Sequence, residues 1–398
     1  MGDDKDVVAR PKAQRWFGTG SSRLPDAREA GAEAVDGALA GDRAKLLIVF
    51  CSGAYDLEAL LDGVRERAGD VALIGCSTAG EIATEGPTDA GVAVAALGGE
   101  GFSVATASAA EASTDLRGAG ERAAACIYDL EPREHRALII LTDGLAGNQQ
   151  EIVRGAHGVV GAGVPLVGGC AGDDLQMSKT FQFADGEVLS NAVVAAAVGS
   201  DAPLGIGVRH GWRRVGEPVL VTRSDGNRVF ELDEQPALDV YLERLEAPEP
   251  ARLDPSAFTR YALTHPLGLG RRSGEDHVRF IGGADFEDRS LSCIAAVPPA
   301  ATAWFMEGDG ESVMAATESA CHDALAPLDG RSPLGLIAFD CIARRGVLGE
   351  DGIREEIGRL GTVSGGAPVA GFYTYGEIAR TRGAGGFHNQ TLVVLAFS

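Results

Sequence analysis

Two segments of this chain carry the same polar turn. Gly75-Cys76-Ser77-Thr78-Ala79-Gly80-Glu81-Ile82 and Gly371-Phe372-Tyr373-Thr374-Tyr375-Gly376-Glu377-Ile378 align without a gap and share Gly, Thr, Gly, Glu and Ile. Glycine permits positive φ and close backbone approach, and exposed N–H groups in such a loop hold an anionic or polar group. Glu81 and Glu377 then accept hydrogen bonds from a ligand amine, pair with an arginine, or cap a tight turn locally. A third glycine-rich segment, Val167-Gly168-Gly169-Cys170-Ala171-Gly172-Asp173-Asp174, adds adjacent carboxylates. These suit a cation or an amine, or they are solvated turn residues. Cys76 and Cys170 lie inside these loops. Each is a nucleophile or redox sensor if its pKa is depressed, and a small buried hydrophobe if it is not. Loop N–H groups beside such a thiol could serve as an oxyanion hole.

His388 and Asn389 follow the second turn closely, which makes His388 the first choice for a functional histidine. His265 precedes Pro266 in a polar loop. No C-x-x-C-H motif supports covalent haem. There is no H-E-x-x-H, no G-x-x-x-x-G-K-[ST] and no G-x-S-x-G, so nothing supports phosphoryl transfer or a serine hydrolase.

The elements that must position these residues read as mixed α/β. Lys45–Phe50 is a continuous apolar run, as in a strand buried on both faces. Leu57, Leu60, Leu61 and Val64 then share one helical face, and Val71–Ile74 is the next strand. Strand, helix, strand and glycine loop in that order make a βαβ unit near the N-terminus. Gly91–Leu97 and Phe102–Ala107 read as adjacent paired strands. Later strands at Ala137–Thr142, Leu334–Phe339, Val369–Tyr373 and Thr391–Phe397 continue the pattern of mixed sheets flanked by helices. The loop after a buried strand is a favoured ligand location in such sheets. Val219–Val229 reads as a seam. The expected organisation is a polar tail over 1–12, one lobe over 13–222 and a second over 223–398.

The chain has 398 residues, 45% of them hydrophobic, and a formal net charge of −22. That charge, with no basic patch, argues against nucleic acid. No apolar stretch reaches the ~18 residues of a membrane helix, and the first twelve residues lack an apolar signal core. A cytoplasmic location without membrane insertion is expected. Seven cysteines without C-x-x-C spacing read as reduced thiols.

In its three loops, in Glu231-Leu232-Asp233, Pro236–Tyr241 and His265-Pro266-Leu267-Gly268, and in Phe387-His388-Asn389-Gln390-Thr391, the chain resembles the FIST-domain family in both its N- and C-terminal halves. The resemblance implies a stand-alone sensory protein that binds a small ligand, an amino acid among the candidates, and signals through a partner. A histidine kinase or a cyclic-di-nucleotide enzyme is the partner it implies. The implied ligand-binding set is Cys76, Ser77, Thr78, Glu81, Gly169, Cys170, Asp173, Asp174, Tyr373, Tyr375, Glu377, His388 and Asn389. The alternatives are a haem-based nitric-oxide sensor with His388 or His265 as axial ligand, a protein-interaction adaptor and, ranked last, a cysteine-dependent enzyme.

Overall fold

The computed structural model describes residues 15–270, 276–380 and 386–398. The first unit runs β1 (Trp16–Ser22), α1 (Ala27–Ala38), β2 (Ala44–Cys51), α2 (Leu57–Ala68) and β3 (Ala72–Ser77). A short hairpin, β4 (Glu81–Ala83) and β5 (Gly86–Thr88), and then β6 (Val92–Gly98) complete it. Asp26 and Asp56 cap the two helices by accepting from the N–H groups of Glu29 and Ala59. The expected βαβ unit is β2–α2–β3, with β2 and β3 parallel. β6 lies antiparallel between β1 and β2.

The same order recurs twice. The second unit is β7 (Phe102–Ala109), α3 (Leu116–Ala124), β8 (His135–Thr142), α4 (Gln149–Val160), β9 (Leu166–Cys170), hairpin β10 (Gln182–Ala184) and β11 (Glu187–Leu189), and β12 (Val193–Ser200). The third opens with β13 (Leu204–Arg209) and is then interrupted by an insert. The insert holds β14 (Arg213–Asp225), β15 (Arg228–Leu232), β16 (Gln235–Pro236), α5 (Ala237–Arg244), α6 (Glu249–Leu253) and α7 (Pro255–Ala262). It continues with β17 (Leu267–Leu269), β18 (His277–Arg279), β19 (Ile281–Asp285), β20 (Ser290–Cys293) and β21 (Thr302–Glu307). The third unit resumes with α8 (Gly310–Leu325), β22 (Gly335–Cys341), α9 (Ile342–Val363) and β23 (Val369–Thr374). Hairpin β24 (Glu377–Arg380) and β25 (Phe387–His388), then β26 (Leu392–Phe397), close the chain.

Each hairpin leaves its own unit and completes the sheet of another. The three sheets are ordered β1-β6-β2-β3-β10-β11, β7-β12-β8-β9-β24-β25 and β13-β26-β22-β23-β4-β5. Register is conserved around this cycle: Gln182 pairs with Cys76, Glu377 with Gly169, and Glu81 with Phe372. The chain is therefore three equivalent units interlocked about a pseudo-threefold axis. One face of each sheet meets a shared centre that includes Phe50, Ile139, Phe339, Phe372 and Phe397. The other face is covered by the unit's own helices. The insert has a separate core around Tyr241, Phe258 and Phe305.

Mixed sheets flanked by helices were expected and are found. β6 and β7, expected to pair, belong to different sheets, because each finds its partners within its own unit. The stretch Val219–Val229 runs through β14 and β15 of the insert, and strands on both sides of residue 222 share sheets. The tail over 1–12 lies outside the described residues.

Candidate functional site

One glycine recurs at the same register in all three units. A Cβ at Gly75, Gly168 or Gly371 would lie 2.2, 1.8 or 1.9 Å from the carbonyl oxygen of Val49, Ile140 or Ala338 on the neighbouring parallel strand. Only glycine fits so close an approach. Four residues further on, the strand-end loops bond to one another around the axis. The Ala79 N–H donates to the Tyr373 carbonyl at 3.0 Å, Tyr375 to Cys170 at 3.2 Å, and Gly172 to Ser77 at 3.0 Å. Return bonds run from Tyr373 N–H to Gly80, Cys170 to Gly376, and Ser77 to Phe181. The three loops singled out in the sequence thus form one ring.

Behind the ring lies a latch in three copies. Glu81 accepts from the hydroxyls of Thr78 at 2.6 Å and Thr88 at 2.7 Å, and from the Gly91 N–H at 3.0 Å. Glu377 accepts from Thr374 at 2.6 Å, and from the hydroxyl and N–H of Thr391 at 2.8 and 3.1 Å. In the second unit Gln182 holds the equivalent place, its Oε1 accepting from the Ala192 N–H at 3.1 Å. Each side chain ties its hairpin to the start of its unit's last strand. Both glutamates are fully buried. Burial pushes their pKa up to about 7 against the lowering effect of the threonine and backbone donors.

The ring is symmetric except at one corner. Ala79 is followed directly by Gly80, and Tyr375 by Gly376, whereas Asp173–Thr180 separates Gly172 from its counterpart Phe181. This added segment, here called the crown, is organised by Asp173. Its carboxylate accepts from the N–H groups of Met177 at 3.0 Å, Ser178 at 2.7 Å and Lys179 at 3.0 Å, and from the Tyr375 hydroxyl. Burial acts to raise the Asp173 pKa, but these donors outweigh it and hold it below the usual carboxylate range. The Tyr375 oxygen in turn accepts from the N–H groups of Asp173 at 3.2 Å and Leu175 at 2.7 Å.

Two polar clefts flank the crown. One, about 130 Å³, is lined by Gly53, Asp173, Asp174, Gln176, Ser178, Lys179 and Phe181. The other, about 240 Å³, is lined mainly by Ser113, Asp143, Ser178, Lys179, Thr180, Ser190 and Asn191. Lys179 and Ser178 border both. Asp143 has its oxygens occupied by the Leu145 and Asn191 N–H groups. Asp174 reaches Ser52 at 3.3 Å.

Residues 45–235 match the FIST N domain and residues 237–380 the FIST C domain. The chain belongs to the FIST family. Domains of this family are regarded as small-ligand-sensing signalling domains. The chain is similar to an uncharacterized protein of Mycobacterium tuberculosis H37Rv, 27% identical over 96% of this chain and 99% of the other. An uncharacterized protein of Methanocaldococcus jannaschii is 27% identical over 56% of this chain and 47% of its own length. Among solved structures, the cyanuric acid hydrolase of A. caulinodans aligns with 47% of this chain and 71% of its own at 12% identity. The TM-score of that alignment is 0.26.

In this FIST protein the residues expected from sequence fall into three groups. Asp173 and Asp174 border a cleft. Ser77, Thr78, Gly169, Tyr375, Glu81 and Glu377 build the ring and its latches, Ser77 through a 2.8 Å bond to the Gly172 carbonyl. Cys76, Cys170, Tyr373 and Asn389 are buried. Burial raises the pKa of both thiols, and Cys170 is hydrogen-bonded to Thr142, so neither is poised as a thiolate. His388 Nε2 is bonded to the Ala379 carbonyl at 3.0 Å. His265 stacks on Tyr261 at 4.1 Å, with Nδ1 on the Tyr261 carbonyl. A carbonyl partner also suits a metal-bound imidazole. Neither ring lines the two crown clefts or the 820 Å³ groove lined by Thr19, Ser21, Glu33 and Glu85.

Sequence reasoning missed Gln182, Ser178 and Lys179. Lys179 carried a signal: of four lysines it alone lies beyond residue 45. Among the described residues no helix is long and apolar enough to cross a membrane.

Proposed function

We propose that this FIST protein is an intracellular sensor that binds a small polar molecule at the crown and signals through a partner protein. One observation carries the reading. A single corner of an otherwise symmetric ring bears eight added residues (Asp173–Thr180), held in one shape by a buried carboxylate and flanked by two polar clefts. Added chain that is this well organised, and lies at the C-terminal ends of parallel strands, is placed as ligand-binding loops are. Lys179 and Asp174 offer opposite charges along one cleft, complementary to the two ends of an amino acid. The hydroxyls of Ser113, Thr180 and Ser190 in the other would take a polar side chain. A histidine kinase or cyclic-di-nucleotide enzyme is the partner class the family suggests.

The pseudo-symmetry supplies the test. Deleting Asp173–Thr180 joins Gly172 to Phe181 as Ala79 joins Gly80, so the ring closes as it does elsewhere. Thermal shift against a panel of amino acids and small organic acids should show stabilisation of the intact protein and none of the deletion variant. A folded deletion variant that keeps the full response places the site elsewhere.

A further inference from the structure

The crown holds an unfavourable shape. Asp174, Leu175 and Met177 have φ values of +54°, +61° and +52°, in the left-handed region that non-glycine residues avoid. Leu175 and Met177 are also 61% and 57% exposed, so two large apolar side chains face water. No burial of these side chains compensates for the backbone. What holds the segment is polar. The Asp174 N–H donates to the Thr78 carbonyl at 3.3 Å and its carboxylate accepts from Ser52 at 3.3 Å, but most of the bonds converge on two residues. Asp173 gathers the N–H groups of Met177, Ser178 and Lys179, while Tyr375 gathers those of Asp173 and Leu175 and donates its hydroxyl to Asp173.

Tyr375 belongs to the third unit and Asp173 to the second. At the ring positions equivalent to Tyr375 stand Ala79 and Gly172, which carry no group able to do this. The Tyr375 N–H closes the ring on Cys170, and its ring lies close to Gly144, where an added Cβ would be 3.1 Å away. Its phenol is thus fixed from behind, and the crown is fixed by the phenol. Gly376 and Glu377 follow at once, so the same residue joins the crown to the latch of the third unit.

We infer that Tyr375 is the positioning residue of the crown, a latch that holds a strained segment in its binding shape and whose release is the sensor's second state. This rests on reading the crown as the ligand site. Released, Asp174, Leu175 and Met177 relax from the left-handed region and the clefts beside Lys179 lose their common wall. A ligand that engages Lys179 and Asp174 stabilises the latched form, and the third unit feels the difference through Tyr375.

Trypsin reads the latch without any ligand, because Lys179 is the only lysine in the crown and lies at its end. Full-length wild type, Tyr375→Phe and Asp173→Asn are digested under native conditions, with urea unfolding measured in parallel. Phenylalanine keeps the ring packing and the Cys170 bond and removes only the hydroxyl. Cleavage after Lys179 should rise about tenfold or more in both variants, with cutting at the arginines of the sheets and helices unchanged. Equal cleavage after Lys179 in wild type and Tyr375→Phe overturns the inference and leaves the ligand site standing. Cleavage that rises everywhere in step with lost global stability also overturns it, since Tyr375 would then be a general packing residue. Failure of the ligand-site reading appears separately, in the deletion experiment above.

Discussion

A glutamine does in one unit what a glutamate does in the other two, and that comparison separates the task from the charge. Gln182, Glu81 and Glu377 each receive the N–H that precedes their unit's last strand. The amide needs no proton to be neutral. Burial lifts each glutamate from the ordinary 4.5 to about 7, so the folded protein holds protons that the unfolded chain releases between those values. The resulting stability is complete below about pH 4.5 and is lost as pH rises through about 7. At about 1.4 kcal/mol per unit, each glutamate accounts for roughly 3 kcal/mol across that window. Thr78 can serve both forms, because its hydroxyl also lies 3.3 Å from the Cys51 carbonyl and can turn there when Glu81 is protonated. Glu377→Gln should therefore match wild type near pH 4.5 and gain on it as the pH rises, roughly halving the slope that the two glutamates share. Urea denaturation across that range measures it, and an unchanged slope would assign the pH dependence to other groups.

At the scale of elements, the decisive contacts are those that let a hairpin cross into another sheet. Gly168 sits under such a crossing, with φ +155° and Ile140 O where its Cβ would be. Gly168→Ala should cost roughly 3 kcal/mol or more, by overpacking that moves β8 against β9. A shift in the denaturation midpoint at constant slope measures this. A tolerated alanine would mean that the strand can withdraw, and that the recurrent glycine marks ancestry alone. Some of this was legible in the sequence. The apolar run at Lys45–Phe50 and the face made by Leu57, Leu60, Leu61 and Val64 gave the first βαβ unit. The paired turns ending in Glu81 and Glu377 gave two corners of the ring, and Gly168–Asp174 was recognised as a third glycine loop. It was not recognised as the third copy, because eight residues part Gly172 from Phe181 and glutamine replaces glutamate at 182. The hairpin crossings left no local trace. β4 and β5 have three residues each, too few for periodicity, and Ala83 pairs with Ala370 far along the chain.

For the whole molecule, interlocking predicts where the chain can be cut. A break between residues 222 and 223, the boundary expected from sequence, leaves β9 without β24, β23 without β4 and β13 without β26. It also opens the shared centre, where Phe50 stacks on Phe372 at 4.8 Å and Phe17 on Phe397 at 5.2 Å. Neither fragment keeps a complete core, so each should be insoluble alone, and the two should form a one-to-one complex when produced together. The insert behaves differently. Its main core is its own, with only Val278 and Met306 packed in a small cluster with Trp212 and Val313 of the body, and its ends meet: an added Cβ on Gly308, just beyond β21, would lie 2.2 Å from the ring of Trp212, just before β14. Replacing 213–307 with a short glycine-serine linker should leave the three sheets folded. The cost comes from Gln390, which donates to the Leu263 carbonyl at 2.7 Å and would lose that partner, and from Trp212 and Val313, which would lose their packing against Val278 and Met306. Size-exclusion chromatography and circular dichroism of the two half-chains, alone and together, and of the linker variant decide between the arrangements. Independently folded halves would break the interlocked reading. A linker variant that unfolds would show that the insert, although it has a core of its own, is required by the body that carries it.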